Sequence, residues 1–320
     1  MNKARKVLIT GITGFAGSHL AELLLDKGYD VVGTIRPRSK TEHIDHIKNK
    51  LKLYDADLSD SHSLQTVFMT VKPEYIFHLA AQAFVPTSWS SPATTMEINA
   101  SGSIHLFEAI RRANIDPVVQ IACSSEEYGL VKPDEVPITE ENPLRPLSPY
   151  AVSKIAMDYL GYQYFKSYGV RIIRTRGFNH TGPRRGDVYV CSTFAKQIAL
   201  IEADKQGPIM KVGNIESYRD FTDVRDMVKA YLLAVEKGEP GEVYNIATGK
   251  TWQIKKVLDM LLGMSKKDIK IEEDPERMRP SDVEILQGDA TKFKKATGWE
   301  PKYKFEQTLE DLLNYWRERV

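Results

Sequence analysis

The sequence predicts an α/β fold, a doubly wound parallel sheet carrying a second, smaller mixed α/β lobe, and three observations predict it. Short apolar runs of strand length alternate with longer helical patterns through the first half of the chain. A glycine-rich loop directly follows the first of those runs and opens the first helical one. Beyond about residue 178 the alternation fades, and proline and arginine gather, as in His180-Thr181-Gly182-Pro183-Arg184-Arg185-Gly186.

The alternation reads as strand Lys6–Thr10, helix Phe15–Lys27, strand Asp30–Ile35, strand Leu51–Tyr54, helix Ser61–Val71 and strand Tyr75–Leu79. It continues as helix Pro92–Ala113, strand Val118–Cys123, a helix from Pro149, and strand Val170–Thr175. Units of this kind join parallel strands by right-handed crossovers, and such sheets hold ligands at the carboxyl ends of their strands. Arg219–Lys237 and Val243–Thr248 read as a helix and a strand returning to the sheet. The expected division is therefore residues 1–178 with 219–248 as a dinucleotide-binding Rossmann domain, and 179–218 with 249–320 as the second lobe.

Lys and Arg number 44 against 43 Asp and Glu, so no broad positive field exists for nucleic acid or anionic lipid, and any anion must be bound locally. The basic start is followed only by Val7-Leu8-Ile9, too short for a signal segment, and no apolar run spans a bilayer. Cys123 and Cys191 are too few for a disulfide framework, and no Cys/His cluster has metal-ligand spacing. The expectation is a cytoplasmic protein with no metal, no nucleic acid and no membrane partner.

In Gly11-Ile12-Thr13-Gly14-Phe15-Ala16-Gly17 the glycines permit a tight turn, a close approach of backbone N–H groups to a pyrophosphate, and close packing of helix on strand. Where an NAD site usually has a carboxylate, the second strand ends Thr34-Ile35-Arg36-Pro37-Arg38. Arg36 suits a 2′-phosphate, so NADP is the expected cofactor. Asp57-Leu58 after the third strand and Leu79-Ala80-Ala81-Gln82 after the fourth are placed to border adenine and the nicotinamide ribose, respectively.

A Tyr-x-x-x-Lys pair on a helix shares one face, so the ammonium can lower the phenol toward neutrality and let it take a hydroxyl proton. Three such pairs occur: Tyr128/Lys132, Tyr150/Lys154 and Tyr162/Lys166. Gly129 and Pro133 put the first in a turn, and the third lies mid-helix. Ser148-Pro149 reads as an N-cap and first-turn proline, so Tyr150 and Lys154 open a helix at the active edge. The fifth strand runs into Ser124-Ser125-Glu126-Glu127-Tyr128, where extended geometry would aim Ser124 and Glu126 one way and Glu127 the other. Ser124 is placed to bond a substrate hydroxyl, and Glu126 to remove a carbon-bound proton beside a ketone.

With these motifs in place the sequence resembles the extended short-chain dehydrogenase/reductase family, in its GDP-mannose 4,6-dehydratase and GDP-4-keto-6-deoxy-mannose reductase branches. The resemblance runs nearly end to end and rests on TGITGFAGSHLAELLLDKGYDV, HLAAQAFVPTSW, SSEEYG, SPYAVSK, RGFNHTGPRRG, VGNIESYRDFTDVRD and RPSDVEILQGD. It implies catalytic roles for Ser124, Glu126, Tyr150 and Lys154, and substrate contacts for Asn99 on the active-site helix and for Asn179, Arg185, Arg219 and Arg279 around the nucleotide sugar. It also implies guanine as the base, and a homodimer or homotetramer. The dehydratase pattern usually has threonine where Ser124 stands; serine keeps the hydroxyl. SSEEYG and YRDFTDVRD are closer to the reductases, HTGPRRG and AAQAFVPTSW to the dehydratases.

The expected activity is dehydration of GDP-mannose to GDP-4-keto-6-deoxy-mannose, because a ketone reductase needs the tyrosine and lysine but has no evident use for Glu126. The alternative is the reductase that forms GDP-D-rhamnose from that product. A third reading, a non-catalytic NADP-binding sensor, is opposed by the full set Ser124, Tyr150 and Lys154.

Overall fold

In the computed structural model, which describes residues 4–277 and 283–320, the first strands form where the apolar runs lie: β1 (Lys6–Thr10), β2 (Asp30–Ile35), β3 (Lys52–Asp55) and β4 (Tyr75–His78). With β5 (Val118–Ser124) and β6 (Arg171–Gly177) they build one parallel sheet. Strand β6 runs past the expected Thr175 because Gly177 still pairs with Ser124.

The crossovers are α1 (Phe15–Asp26), α2 (Ser61–Val71), two short helices α3 (Val85–Ser90) and α4 (Pro92–Met96), α5 (Gly102–Arg112) and α6 (Pro149–Tyr168). Between α4 and α5 a single π-helical stretch, Glu97–Ser101, replaces the uninterrupted helix expected there. Alternation along β1 explains the layering. Val7 and Ile9 enter one core with Leu20 and Leu24 of α1, while Leu8 enters the opposite core with Phe68 of α2, Phe107 of α5 and Met157 of α6.

Beyond β6 come β7 (Asn179–Thr181), α7 (Val190–Glu202), β8 (Ile209–Val212), β9 (Tyr218–Asp223), α8 (Val224–Lys237) and β10 (Val243–Ile246). The segment read as one helix from Arg219 is thus a strand followed by a helix. Asp223 ends the strand and caps α8, accepting from the Arg225 N–H at 2.8 Å. Strand β10 joins the main sheet beside β6, giving the order β10-β6-β5-β4-β1-β2-β3, with α8 packed on the α1 face. The order reverses between β1 and β4, which opens a crevice at the carboxyl ends of both.

The remaining elements are β11 (Thr251–Gln253), α9 (Ile254–Leu262), β12 (Lys270–Glu273), β13 (Ile285–Leu286), α10 (Thr291–Thr297) and α11 (Phe305–Arg317). Strand β9 pairs with β7, β11 and β13 in a second small sheet, and β8 pairs with β12. Their separate core joins Phe194 and Ile198 of α7 to Leu258 of α9 and Leu309 and Leu312 of α11. Among the described residues no helix is long and apolar enough to cross a membrane.

Candidate active site

The glycine loop leaves β1 at Gly11, whose φ of +72° suits glycine and whose added Cβ would stand 3.0 Å from the Ala80 backbone. A Cβ on Gly17 would overlap the Gly11 carbonyl oxygen, so this glycine is what lets α1 close on the strand end. Gly14 is the N-cap of α1, no side chain caps the helix, and no acidic residue lies in its first turn. The N–H groups at Phe15, Ala16 and Gly17 are therefore not competed for by a side chain, which suits a pyrophosphate.

The neighbouring turn is held from below. Leu79 and Ala80 donate their N–H groups to Thr10 Oγ1 at 3.1 and 3.2 Å. His78 bridges Thr10 Oγ1 (2.9 Å) and Ser103 Oγ (3.2 Å), fully buried, and burial lowers its pKa to about 3, which keeps the ring neutral. Asn99 accepts from the Gln82 N–H at 2.8 Å and donates to the Gln82 carbonyl and to Ser153 Oγ at 3.0 and 2.9 Å. It is buried and does not line the cavity, so it lies beneath the site rather than among the expected substrate contacts. Arg36 is exposed directly after β2, Asp57 Oδ1 accepts from the Ser59 N–H at 2.9 Å, and Leu58 is buried against Gly102.

Ser148 caps α6 by accepting from the Ala151 N–H at 3.1 Å, with Pro149 in the first turn, as the sequence suggests. Tyr150, buried, projects into the cavity with Ser124 and half-buried Glu126, whereas Tyr162 is exposed and Tyr128 is buried against Asn245. The segment after Ser124 is not extended: Ser125–Glu127 is a 3₁₀ turn, because Ser124 Oγ accepts from the Glu126 N–H and Glu127 folds back to accept from the Ser124 N–H at 2.8 Å. The two glutamates still part company, Glu126 into the cavity and Glu127 into the protein.

The expected lowering of Tyr150 by Lys154 is corrected by the structure. Burial pushes the phenol up, opposed in part by hydrogen bonding with Ser124. The Lys154 ammonium lies 5.9 Å from the Tyr150 ring centroid and donates instead to the Ala122 carbonyl at 2.7 Å, and burial lowers its own pKa.

The cavity has a volume of about 860 Å³ and runs from Tyr150 to the second lobe. Asn179, Arg185 and Arg219 all line it, while Arg279 falls outside the described residues. Arg185 stacks on Tyr189 at 3.4 Å and lies 5.0 Å from the Phe15 ring centroid, so it bridges the cavity and the glycine loop. Among the described residues its Nε is buried without a hydrogen-bond partner, an arrangement suited to a bound anion. Sequence reasoning missed Tyr189, Trp89 and Arg277 in the lining. Arg277 stands two residues before Arg279 and was within reach of the same signal. Tyr189 and Trp89 have no spacing that marks them.

A dinucleotide-type glycine loop beside a serine–tyrosine–lysine edge, on a parallel sheet with a second lobe, defines an extended short-chain dehydrogenase/reductase. The family model described as GDP-mannose 4,6 dehydratase matches residues 8–312, and the chain belongs to that family. It is 37% identical to GDP-mannose 4,6 dehydratase 1 of Arabidopsis thaliana, across 99% of this chain and 93% of that one. It is 32% identical to the GDP-6-deoxy-D-mannose reductase of Pseudomonas aeruginosa, across 99% and 98%. The solved structure of RMD from Pseudomonas aeruginosa complexed with NADPH superposes with a TM-score of 0.87 at 31% identity, covering 99% of this chain and all of the other.

Proposed function

We propose that this protein is an NADP-dependent GDP-mannose 4,6-dehydratase, converting GDP-mannose to GDP-4-keto-6-deoxy-mannose and water. The observation that carries the reading is the carboxylate of Glu126 in the same cavity as Ser124 and Tyr150. Oxidation or reduction of a sugar carbon uses a hydroxyl and a phenol; a carboxylate beside them adds a base for carbon-bound protons.

The residues fit the cofactor. Gly11, Gly14 and Gly17 leave room for a pyrophosphate at the uncapped start of α1, and exposed Arg36 stands where a 2′-phosphate needs a cation. The chemistry such a nicotinamide supplies is reversible hydride transfer, so it is regenerated within each turnover and a trace suffices.

The chain's own residues then handle protons. Ser124 holds the C4 oxygen and Tyr150 takes the C4 hydroxyl proton, with Arg185 as the cation placed to favour the phenolate. Glu126 takes the C5 proton, which the adjacent ketone has made acidic, and passes it to the C6 oxygen so that it departs as water; Tyr150 then returns to C5 the proton it took from the C4 hydroxyl, balancing the hydride that a bound nicotinamide would give back at C6. Arg185 and Arg219 neutralise the diphosphate, and Asn179 orients the sugar.

Incubating the protein with GDP-mannose and a trace of NADP tests this: a product lighter by one water is expected, and unchanged GDP-mannose refutes it. A second reading draws on the near end-to-end similarity to the Pseudomonas aeruginosa reductase. Reduction of GDP-4-keto-6-deoxy-mannose would consume NAD(P)H stoichiometrically and leave Glu126 dispensable.

A further inference from the structure

Glu127 stands next to the proposed base yet takes no part in the chemistry above. Its side chain is fully buried, and its Oε1 accepts from the Ser124 N–H at 2.8 Å. Its Oε2 lies 3.2 Å from Arg176 Nε. The same Arg176 Nε donates to Asp158 Oδ2 at 2.9 Å, and Arg174 Nη1 donates to Asp158 Oδ1 at 2.6 Å. Arg176 also donates to the Tyr128 hydroxyl at 3.1 Å, which donates to Asn245 Oδ1 at 2.7 Å.

Asp158 belongs to α6, eight residues after Tyr150 and four after Lys154, a spacing that keeps all three near one helical face. The cluster therefore connects three elements: the turn that carries Ser124 and Glu126, the helix that carries Tyr150 and Lys154, and strand β6 between them. Ligand atoms of Cys123, Glu127 and Asp158 come within 4.8 Å of one another, as in a cation site. Two guanidiniums already balance the two acids, however, and both Asp158 oxygens are engaged.

We infer that Glu127 is a positioning residue: through Arg176 and Asp158 it fixes the Ser124–Glu126 turn against the helix of Tyr150 and Lys154. Small displacements matter here because a misplacement of about 1 Å can cost roughly a hundredfold in rate. Burial and the nearby Asp158 raise the Glu127 pKa well above the ordinary carboxyl range, opposed in part by Arg176. The amide oxygen of glutamine, at the same side-chain length, reproduces the acceptor presented to the Ser124 N–H.

The inference takes its assay from the dehydratase reading, and two variants of the full chain test it. Glu127→Asp withdraws the carboxyl from the Ser124 N–H; kcat with GDP-mannose is expected to fall about tenfold at unchanged KM and unchanged NADP affinity. Glu127→Gln keeps the side-chain length and the acceptor for the Ser124 N–H, and is expected to lose less of kcat than Glu127→Asp. The inference is overturned if the aspartate variant turns over at the wild-type rate, or if both variants lose turnover, NADP affinity and melting temperature together, as a merely structural role requires. If wild-type protein leaves GDP-mannose unchanged, it is the dehydratase reading that fails. The same two variants are then compared on reduction of the 4-keto sugar, where Ser124 and Tyr150 still act and the same pattern is required.

Discussion

The cavity and the polar layer beneath it hold the same residue types in opposite circumstances. Above, Glu126 and Arg185 make no ion pair among the described residues. Below, Glu127 and Asp158 face Arg174 and Arg176 at 2.6 to 3.2 Å. Adjacent glutamates, Glu126 and Glu127, fall on either side of this boundary. The difference teaches that side-chain identity does not assign a role here; whether a charge is already answered by the protein does. Answered charges hold geometry, and unanswered ones are available to a substrate.

The comparison is broken most sharply at Tyr150. Tyr150→Phe removes a proton acceptor from the cavity and leaves the layer below intact, so turnover is expected to fall by about 10²–10⁴-fold with NADP binding retained. Steady-state kinetics beside a cofactor titration checks this, and a phenylalanine variant of near-normal kcat removes Tyr150 from the chemistry. A smaller effect is expected at Arg36, outside both regions. Arg36→Ala is expected to lower the preference for NADP over NAD by roughly tenfold, the worth of one hydrogen-bonded charge. An unchanged ratio of kcat/KM for the two cofactors denies that arginine the 2′-phosphate.

A further effect sharpens the role of the layer through pH. His78 is neutral in the fold, with a pKa lowered by burial to about 3 from the ordinary 6.5. A depressed pKa gives stability that is fully present above pH 6.5 and lost as pH falls from 6.5 toward 3, at about 1.4 kcal/mol per unit. Denaturant unfolding across pH 7 to 5 is expected to show a shallower acid decline in His78→Asn than in wild type. Parallel declines would mean that His78 is not the group concerned.

Much of this was legible in the sequence because it depends on short-range chemistry. Val7-Leu8-Ile9 alternates between two cores, Gly11 to Gly17 mark the turn, and Ser148-Pro149 announces the helix of Tyr150. What stayed hidden depends on contacts between distant residues. The helix expected from Arg219 begins five residues later because Tyr218–Asp223 finds strand partners in β7, β11 and β13. Extended geometry was expected at Glu126, but the Ser124 and Glu127 side chains close a turn there. Asn99 was expected at the substrate, yet its amide is engaged by Gln82 and Ser153. Nor does spacing reveal that burial, rather than Lys154, dominates the Tyr150 phenol.

The central claim is that Glu126 moves a proton at C5 of the hexose, and running the reaction in D2O tests it most directly. With GDP-mannose and a trace of NADP, the account predicts a 4-keto-6-deoxy product carrying one solvent deuteron at C5, and no product from Glu126→Gln although that variant still binds NADP. A product free of deuterium at C5, or a glutamine variant that forms it at the wild-type rate, would contradict the account.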